Sequence, residues 1–113
     1  MKSNLLFFLI TLFILIFGNP VYSSEVSSDD INNYTSKISM KFSRTYCNTI
    51  KFGISNEGAL KFAIGETKKE FLNNKLNKFI DYDLLNKNIL FSLNNNCQIE
   101  KFPINKLDNL VFK

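Results

Sequence analysis

Apolar residues recur at helical spacing in the first half of this chain. From Ile31 to Phe52, the side chains that share one face fall within about a third of a turn of one another. They are Ile31, Tyr34, Ile38, Phe42, Tyr46 and Thr49. Gly53 follows directly and suits the end of a helix, where a left-handed backbone conformation is common. The pattern predicts a first helix from about Ile31 to Phe52.

A second stripe of core-type residues begins shortly after Gly53. Ser55 or Asn56 is expected to cap this helix, with Glu57 in its first turn complementing the helix dipole. The stripe is formed by Leu60, Ala63, Ile64, Thr67 and Phe71. Gly65 lies inside it, and we expect it to allow close packing of two helices rather than to form a ligand site. Asn73 and Asn74 are expected to fray the helix end.

A third helix is predicted near the end of the chain, after a short apolar group (Leu76, Phe79, Ile80). The segment 81–83 offers a cap, and apolar residues then repeat every four positions at Leu85, Ile89, Leu93 and Cys97. Asparagines 94 to 96 are expected to form a frayed end. The tail is too apolar to stay free in water, so it should pack on the helices, extended or as one short turn. The expected fold is a small all-α domain of three helices with an ordered, partly extended C-terminal tail.

The start of the chain has the features of an export signal. Lys2 precedes the uncharged run Leu5–Phe17, which is shorter than the roughly 20 residues that span a bilayer. Val21, Tyr22 and Ser23 place modest side chains at the cleavage positions, so we predict a signal peptide over 1–23 with cleavage after Ser23. An uncleaved membrane anchor is the alternative. Residues 24–113 then form a single small helical domain, with 24–30 as a flexible start ending in an N-cap at Ser28 or Asp29.

The composition excludes most common active sites. The chain has no histidine, so Cys-His and Ser-His-Asp catalysis and an ordinary structural zinc site are ruled out. Its formal net charge of +4 is only mildly basic. The glycine spacing matches no phosphate-binding loop. Asp81 and Asp83 are better explained as helix caps than as calcium ligands. We therefore expect no catalytic residues, no metal, no cofactor and no nucleic-acid partner.

Two cysteines remain as chemically distinctive residues. Cys47 lies opposite Ile38 on the helical wheel, away from the main stripe, whereas Cys97 is in line with Leu93. An oxidising compartment favours pairing of two lone cysteines. We predict a Cys47–Cys97 disulfide; separate buried thiols and an intermolecular or redox role are the alternatives.

A row of lysines is a candidate contact surface. Lys61, Lys68 and Lys75 recur every seven residues, with Lys78 nearby. Such a row can meet anionic lipid or an acidic partner, although a solvated helix face is the simpler interpretation.

One stretch of the sequence carries a resemblance to known proteins. The stretch is Phe42–Glu66. Its matching features are Cys47 directly after a tyrosine, the Gly-Ile-Ser segment 53–55, Glu57, the Ala-Leu pair 59–60 and the Ala-Ile-Gly-Glu segment 63–66. This pattern resembles a family of small exported cyanobacterial-type helical proteins of unknown function. The resemblance implies a helical fold and export to the periplasm or the thylakoid lumen, and it implies no activity.

The sequence as a whole favours a small exported non-catalytic binding or accessory protein, stabilised by one disulfide. We expect a monomer in the periplasm, the thylakoid lumen or the extracellular space, with an unknown protein partner. The alternative is a membrane-surface-active or inhibitor-like protein that uses the lysine-rich helix face for weak contact with anionic membranes.

Overall fold

The computed structural model describes residues 26–99 and 102–112, and within them the chain is all-α. The predicted signal peptide and its cleavage after Ser23 lie outside the described residues. In these two described ranges, three α-helices and two 3₁₀-helices follow one another. They are α1 (Ser28–Lys51), α2 (Asn56–Phe71), the first 3₁₀-helix (Lys75–Phe79), α3 (Tyr82–Cys97) and the second 3₁₀-helix (Ile104–Asn109).

Helix α1 begins earlier than the hydrophobic pattern predicts. Ser27 is the N-cap, and its Oγ accepts a hydrogen bond from the backbone N–H of Asp30 at 3.1 Å. Asp29 and Asp30 occupy the first turn, where their carboxylates complement the helix dipole. The N-cap predicted at Ser28 or Asp29 is therefore wrong, as is the flexible start predicted for 24–30 where it includes 28–30; residues 24 and 25 lie outside the described residues. The first turn is polar and solvated, so apolar periodicity does not register it.

The turn between α1 and α2 forms as its sequence predicts. Gly53 has a positive φ of 90°, and its N–H donates to the Ile50 carbonyl at 2.9 Å, while the N–H of Ile54 donates to the Thr49 carbonyl at 3.4 Å. This pair of bonds is the Schellman arrangement that ends many helices. Ser55 then caps α2 by accepting a hydrogen bond from the Gly58 N–H at 3.1 Å.

Helix α1 is the central element of the fold. Both α2 and α3 pack along it, whereas α2 and α3 have few direct contacts with each other. The main stripe, including the fully buried Ile38 and Phe42, is only part of its buried surface. A second line of small residues is buried as well, and it contains Ser39, Ser43 and Cys47. Ser43 Oγ donates to the Ile89 carbonyl of α3 at 3.5 Å, so this second line faces α3.

Helix α3 is capped at its start and ends at Cys97 as predicted, but its last turn is more regular than predicted. Asp81 accepts hydrogen bonds from the backbone N–H groups of Asp83 at 3.0 Å and Leu84 at 3.3 Å. The helix includes residues 94–96 and ends at Cys97, followed by Gln98 in the left-handed conformation. The frayed end expected at the three asparagines is wrong, because Cys97 fixes this last turn to α1.

The C-terminal tail packs on the helices, as its apolar content predicts. The Phe102 ring lies edge-on to Phe42 and Tyr46, with centroid distances of 6.1 and 5.3 Å. Leu107, Leu110 and Phe112 are buried. The Phe112 N–H donates to the Tyr82 hydroxyl at 3.0 Å, which ties the tail to the start of α3.

Gly65 was expected to lie where two helices pack closely, and this expectation is wrong. It is exposed on the outer face of α2, and a Cβ at this position would meet no atom within 4 Å. The expectation was wrong because the core-facing side of α2 is supplied by Ala59 and Ala63, which are fully buried.

Over the described stretch, none of the helices combines the length and the apolar character needed to cross a bilayer.

Candidate functional site

The two cysteines are joined in a disulfide, as predicted. Their Cα atoms lie 5.7 Å apart, Cys47 on α1 and Cys97 at the last position of α3. Cys47 is 2% exposed. Within the described residues no thiol is free, so this pair acts as a structural cross-link between the central helix and α3.

A cluster of exposed apolar side chains lies where α1 meets α2. Phe52 is 85% exposed, Phe62 53% and Ile54 49%. With Thr45, Asn48 and Thr49 they line a groove of about 380 Å³. None of the six lining side chains is charged, so this end of the α1–α2 surface is an apolar recess open to solvent.

The local structure explains why these apolar side chains stay exposed. Phe52 follows the last helical residue of α1, and the Schellman turn at Gly53 redirects the chain immediately afterwards. Phe62 lies beside the buried Ala59 and Ala63, at the edge of the core-facing side of α2, and stays half exposed. Neither phenylalanine is therefore in line with the stripe that covers the core.

A second groove continues from the first along the same two helices. It has a volume of about 470 Å³, and α1 supplies Lys37, Met40, Lys41 and Arg44 to its wall, while α2 supplies Glu70 and Phe71. Thr45 and Asn48 line both grooves. The two grooves therefore adjoin each other along the surface and are together called here the α1–α2 furrow, with an apolar half and a basic half.

The basic half keeps a positive charge despite one acidic residue. Lys41 Nζ lies 3.5 Å from Glu70 Oε2, which forms an ion pair across the furrow between the two helices. Within the described part of the chain, Lys37 and Arg44 make no ion pair. These two cations remain available to an anionic ligand, and Arg44 is the only arginine of the sequence.

A partly buried set of hydrogen bonds fixes the end of the furrow that is farthest from Phe52. The Tyr34 hydroxyl of α1 donates to Oδ1 of Asn77 in the first 3₁₀-helix, and Asn77 Nδ2 donates to the Phe71 carbonyl at 2.8 Å. The Phe71 ring lies edge-on to Tyr34 at 5.6 Å. Burial, with a smaller contribution from Tyr82, raises the pKa of Tyr34 to about 12. The phenol therefore stays neutral and holds the C-terminal end of α2 against α1.

A further cavity of about 380 Å³ lies beside the disulfide, between α1, the start of α2 and the tail. Its wall includes Tyr46, Leu60, Cys97, Phe102 and Lys106. Burial raises the pKa of the Tyr46 phenol. The aromatic rings of this wall pack on each other within the core, and the sulfur of Cys97 is already bonded. This cavity is a seam between the tail and the helices, and its cysteine sulfur is not a free nucleophile.

The predicted lysine row is divided between two elements. Lys61 and Lys68 lie seven residues apart on α2, but α2 ends at Phe71, so Lys75 and Lys78 belong to the first 3₁₀-helix. Lys75 and Lys78 line a separate depression, and Lys78 Nζ lies over the Phe79 ring at 5.2 Å. The four lysines lie outside the lining of the furrow.

Sequence reasoning missed the furrow because it followed the core stripes. A usable signal was present: Phe52 and Phe62 are large apolar residues that fall off both stripes. In the described residues, no group of three histidine, cysteine or acidic side chains is close enough to hold a metal ion. The furrow offers shape, apolar surface and positive charge, which are means of binding.

Comparison with protein-family models, with curated proteins and with solved structures finds no match to this chain. The geometry of the furrow is therefore the basis for the function proposed below.

Proposed function

We propose that this protein is a small, non-catalytic binding or accessory protein whose binding surface is the α1–α2 furrow. The observation that supports this most strongly is the exposure of Phe52, Ile54 and Phe62 around one uncharged recess. Each Å² of apolar surface kept in water costs about 25 cal/mol relative to burial. A partner that covers the recess recovers this free energy, and clustered exposed apolar residues mark interaction sites in soluble proteins.

The proposal includes export and a monomeric state. The Cys47–Cys97 disulfide suits an oxidising compartment such as the periplasm, the thylakoid lumen or the extracellular space. The resemblance to small exported helical proteins points in the same direction. In this account the cross-link keeps a small domain rigid, and the furrow presents a preformed surface to a protein partner.

Matched phenylalanine variants test the binding role. Phe52→Ser and Phe62→Ser remove exposed rings from the furrow, and Phe91→Ser removes a ring that is 69% exposed on α3 and lines neither groove. The native protein is used to capture partners from the exported fraction, and each captured protein is then purified and its affinity measured. The proposal predicts binding that the furrow variants weaken and the Phe91 variant does not. A protein that binds all three variants equally, or no purified partner that binds at all, contradicts it.

Membrane-surface binding is the second candidate, because one other surface combines exposed apolar and basic residues. Leu72 and Phe79 are exposed beside Lys75 and Lys78 around the first 3₁₀-helix. This is a weaker case, since Lys61 and Lys68 do not extend the same helix face. Co-sedimentation with vesicles separates the candidates: salt-sensitive binding to anionic but not to neutral vesicles, lost on Lys75→Glu with Lys78→Glu, supports the membrane role.

A further inference from the structure

The two halves of the α1–α2 furrow differ in chemistry, and the difference specifies a ligand. The apolar half is lined by Phe52, Ile54 and Phe62 without a charge. The basic half contributes Lys37 and Arg44, together with the Lys41–Glu70 ion pair. A ligand that fills both halves therefore needs an apolar group at one end and negative charge at the other.

The helical geometry of α1 sets the distance between these two groups. Arg44 and Phe52 are eight positions apart, which is about 12 Å along a helix axis, and Lys37 and Phe52 are about 22 Å apart. An extended peptide covers this range in about four to seven residues. A free phosphate or another small anion is too short to contact both halves at once.

The boundary between the halves favours an extended chain over a helix. Thr45 and Asn48 line both grooves. The Thr45 hydroxyl donates to the Lys41 carbonyl at 2.8 Å and keeps its lone pairs as acceptors. Asn48 offers an amide donor and acceptor on the exposed side of α1. An extended peptide has free backbone N–H and C=O groups that such side chains can bind, whereas a helix has already satisfied its own.

We propose that the furrow binds an extended segment of a partner protein, with an apolar side chain in the recess at Phe52 and Phe62 and carboxylates about four to seven residues away at Arg44 and Lys37. This proposal rests on the binding function proposed above and adds the chemistry of the partner. Charge complementarity selects acidic peptides over basic ones, since like charges facing each other cost free energy.

Selection from a randomised peptide library tests the proposal while the natural partner is still unidentified. The purified native protein is the bait, and the library displays random peptides of about 12 residues, long enough to span both halves when extended. The expected result is enrichment of peptides that combine an apolar or aromatic residue with at least two acidic residues about four to seven positions away. The affinity of the enriched peptides should fall as salt rises from about 50 to 500 mM, because exposed charges are screened.

Two pairs of variants separate the contributions of the two halves. Phe52→Ser with Phe62→Ser tests the apolar half, and Arg44→Glu with Lys37→Glu tests the basic half. All four side chains are exposed, so these changes leave the core intact. Each pair should weaken binding at least about tenfold, which corresponds to a loss of about 1.4 kcal/mol in binding free energy. Phe91→Ser and Lys87→Glu on α3 are matched controls and should change affinity less than about twofold.

The possible outcomes test two claims separately: that the furrow is a binding surface, and that its ligand is an acidic extended peptide. Enriched peptides that lack acidic residues, and that depend on Phe52 and Phe62 but not on Arg44 and Lys37, overturn the acidic partner and leave the binding function standing. Peptides insensitive to the Phe52 and Phe62 variants overturn both. If no peptide is enriched, and vesicles of phosphatidylglycerol bind in a manner that Phe52→Ser weakens, the furrow is a membrane contact and the proposal is wrong. If neither peptides nor vesicles bind, both claims are wrong.

Discussion

Cys47, one turn before the end of α1, is bonded to Cys97, the last residue of α3, with their Cα atoms 5.7 Å apart. The bond spans a sequence separation of 50 and encloses α2, the first 3₁₀-helix and α3 in one covalent loop. The disulfide also joins α1 to α3, the pair of helices between which the small side chains of Ser39 and Ser43 are buried. The cross-link therefore fixes the last turn of α3 to the side of α1 that faces α3.

Loss of the disulfide should destabilise the fold strongly. Closing a loop of this length lowers the entropy of the unfolded chain by an amount worth about 4 kcal/mol in the chain-entropy treatment. We expect the Cys47→Ala, Cys97→Ala double variant to lose about 2–4 kcal/mol in urea denaturation. Intact mass after alkylation without reductant is the control. Incorporation of two alkyl groups into the native protein would contradict the cross-link.

Removal of a buried hydroxyl should stabilise the protein. Thr67 on α2 is fully buried, and its Oγ1 has no hydrogen-bond partner. Thr67→Val replaces this hydroxyl with a methyl group of similar size, so we expect a gain of about 1 kcal/mol in the free energy of unfolding. Thr35→Val is the matched control, because Thr35 is equally buried but donates to the Ile31 carbonyl at 2.8 Å. A loss on Thr67→Val as large as that on Thr35→Val would show that Thr67 has a partner.

The protein should lose stability in alkaline solution through Tyr34. Its pKa is raised from 10.0 to about 12, chiefly by burial, so the folded state holds the phenol proton more tightly than the unfolded state does. The contribution of the protonated Tyr34 phenol to the free energy of unfolding is complete below pH 10, and it is lost as pH rises from 10 towards 12. Stability measured by denaturation should fall less steeply over this range in Tyr34→Phe. Identical slopes for the two proteins would contradict the assignment.

A glycine after α3 should also stabilise the fold. Gln98 has a φ of 54°, a left-handed conformation that side chains with a Cβ adopt at a cost. We expect Gln98→Gly to raise the free energy of unfolding by about 0.5–1 kcal/mol. The Gly53→Ala change, at a φ of 90°, is the reverse control and should lower it. Thermal denaturation of the two variants checks both signs.

The helices were predictable from sequence where apolar spacing and capping residues agree. Gly53, Ser55 and Asp81 each end or begin a helix as predicted, because local hydrogen bonds decide these positions. The start of α1 at Ser28 was missed because its first turn is polar. The fraying expected at Asn94–Asn96 is wrong because the Cys97 disulfide fixes this last turn and overrides a weak local helix preference.

The candidate site was less predictable than the fold. Cys47 lies away from the main stripe, as expected, and it is nevertheless buried, because α1 packs on two sides and its second side is lined by Ser39 and Ser43 rather than by apolar residues. The furrow combines residues from α1 and α2 that are distant in sequence. Their grouping depends on how the helices cross, which single-helix periodicity does not reveal.

The central claim is that the furrow is the binding surface, and amide chemical shifts measured on the ¹⁵N-labelled protein with an enriched acidic peptide test it most directly. We predict shifts concentrated at Thr45, Asn48, Phe52 and Phe62 and extending to Arg44, with little change at Phe91 on α3. Shifts confined to α3, or to the first 3₁₀-helix around Lys75 and Lys78, would contradict the claim.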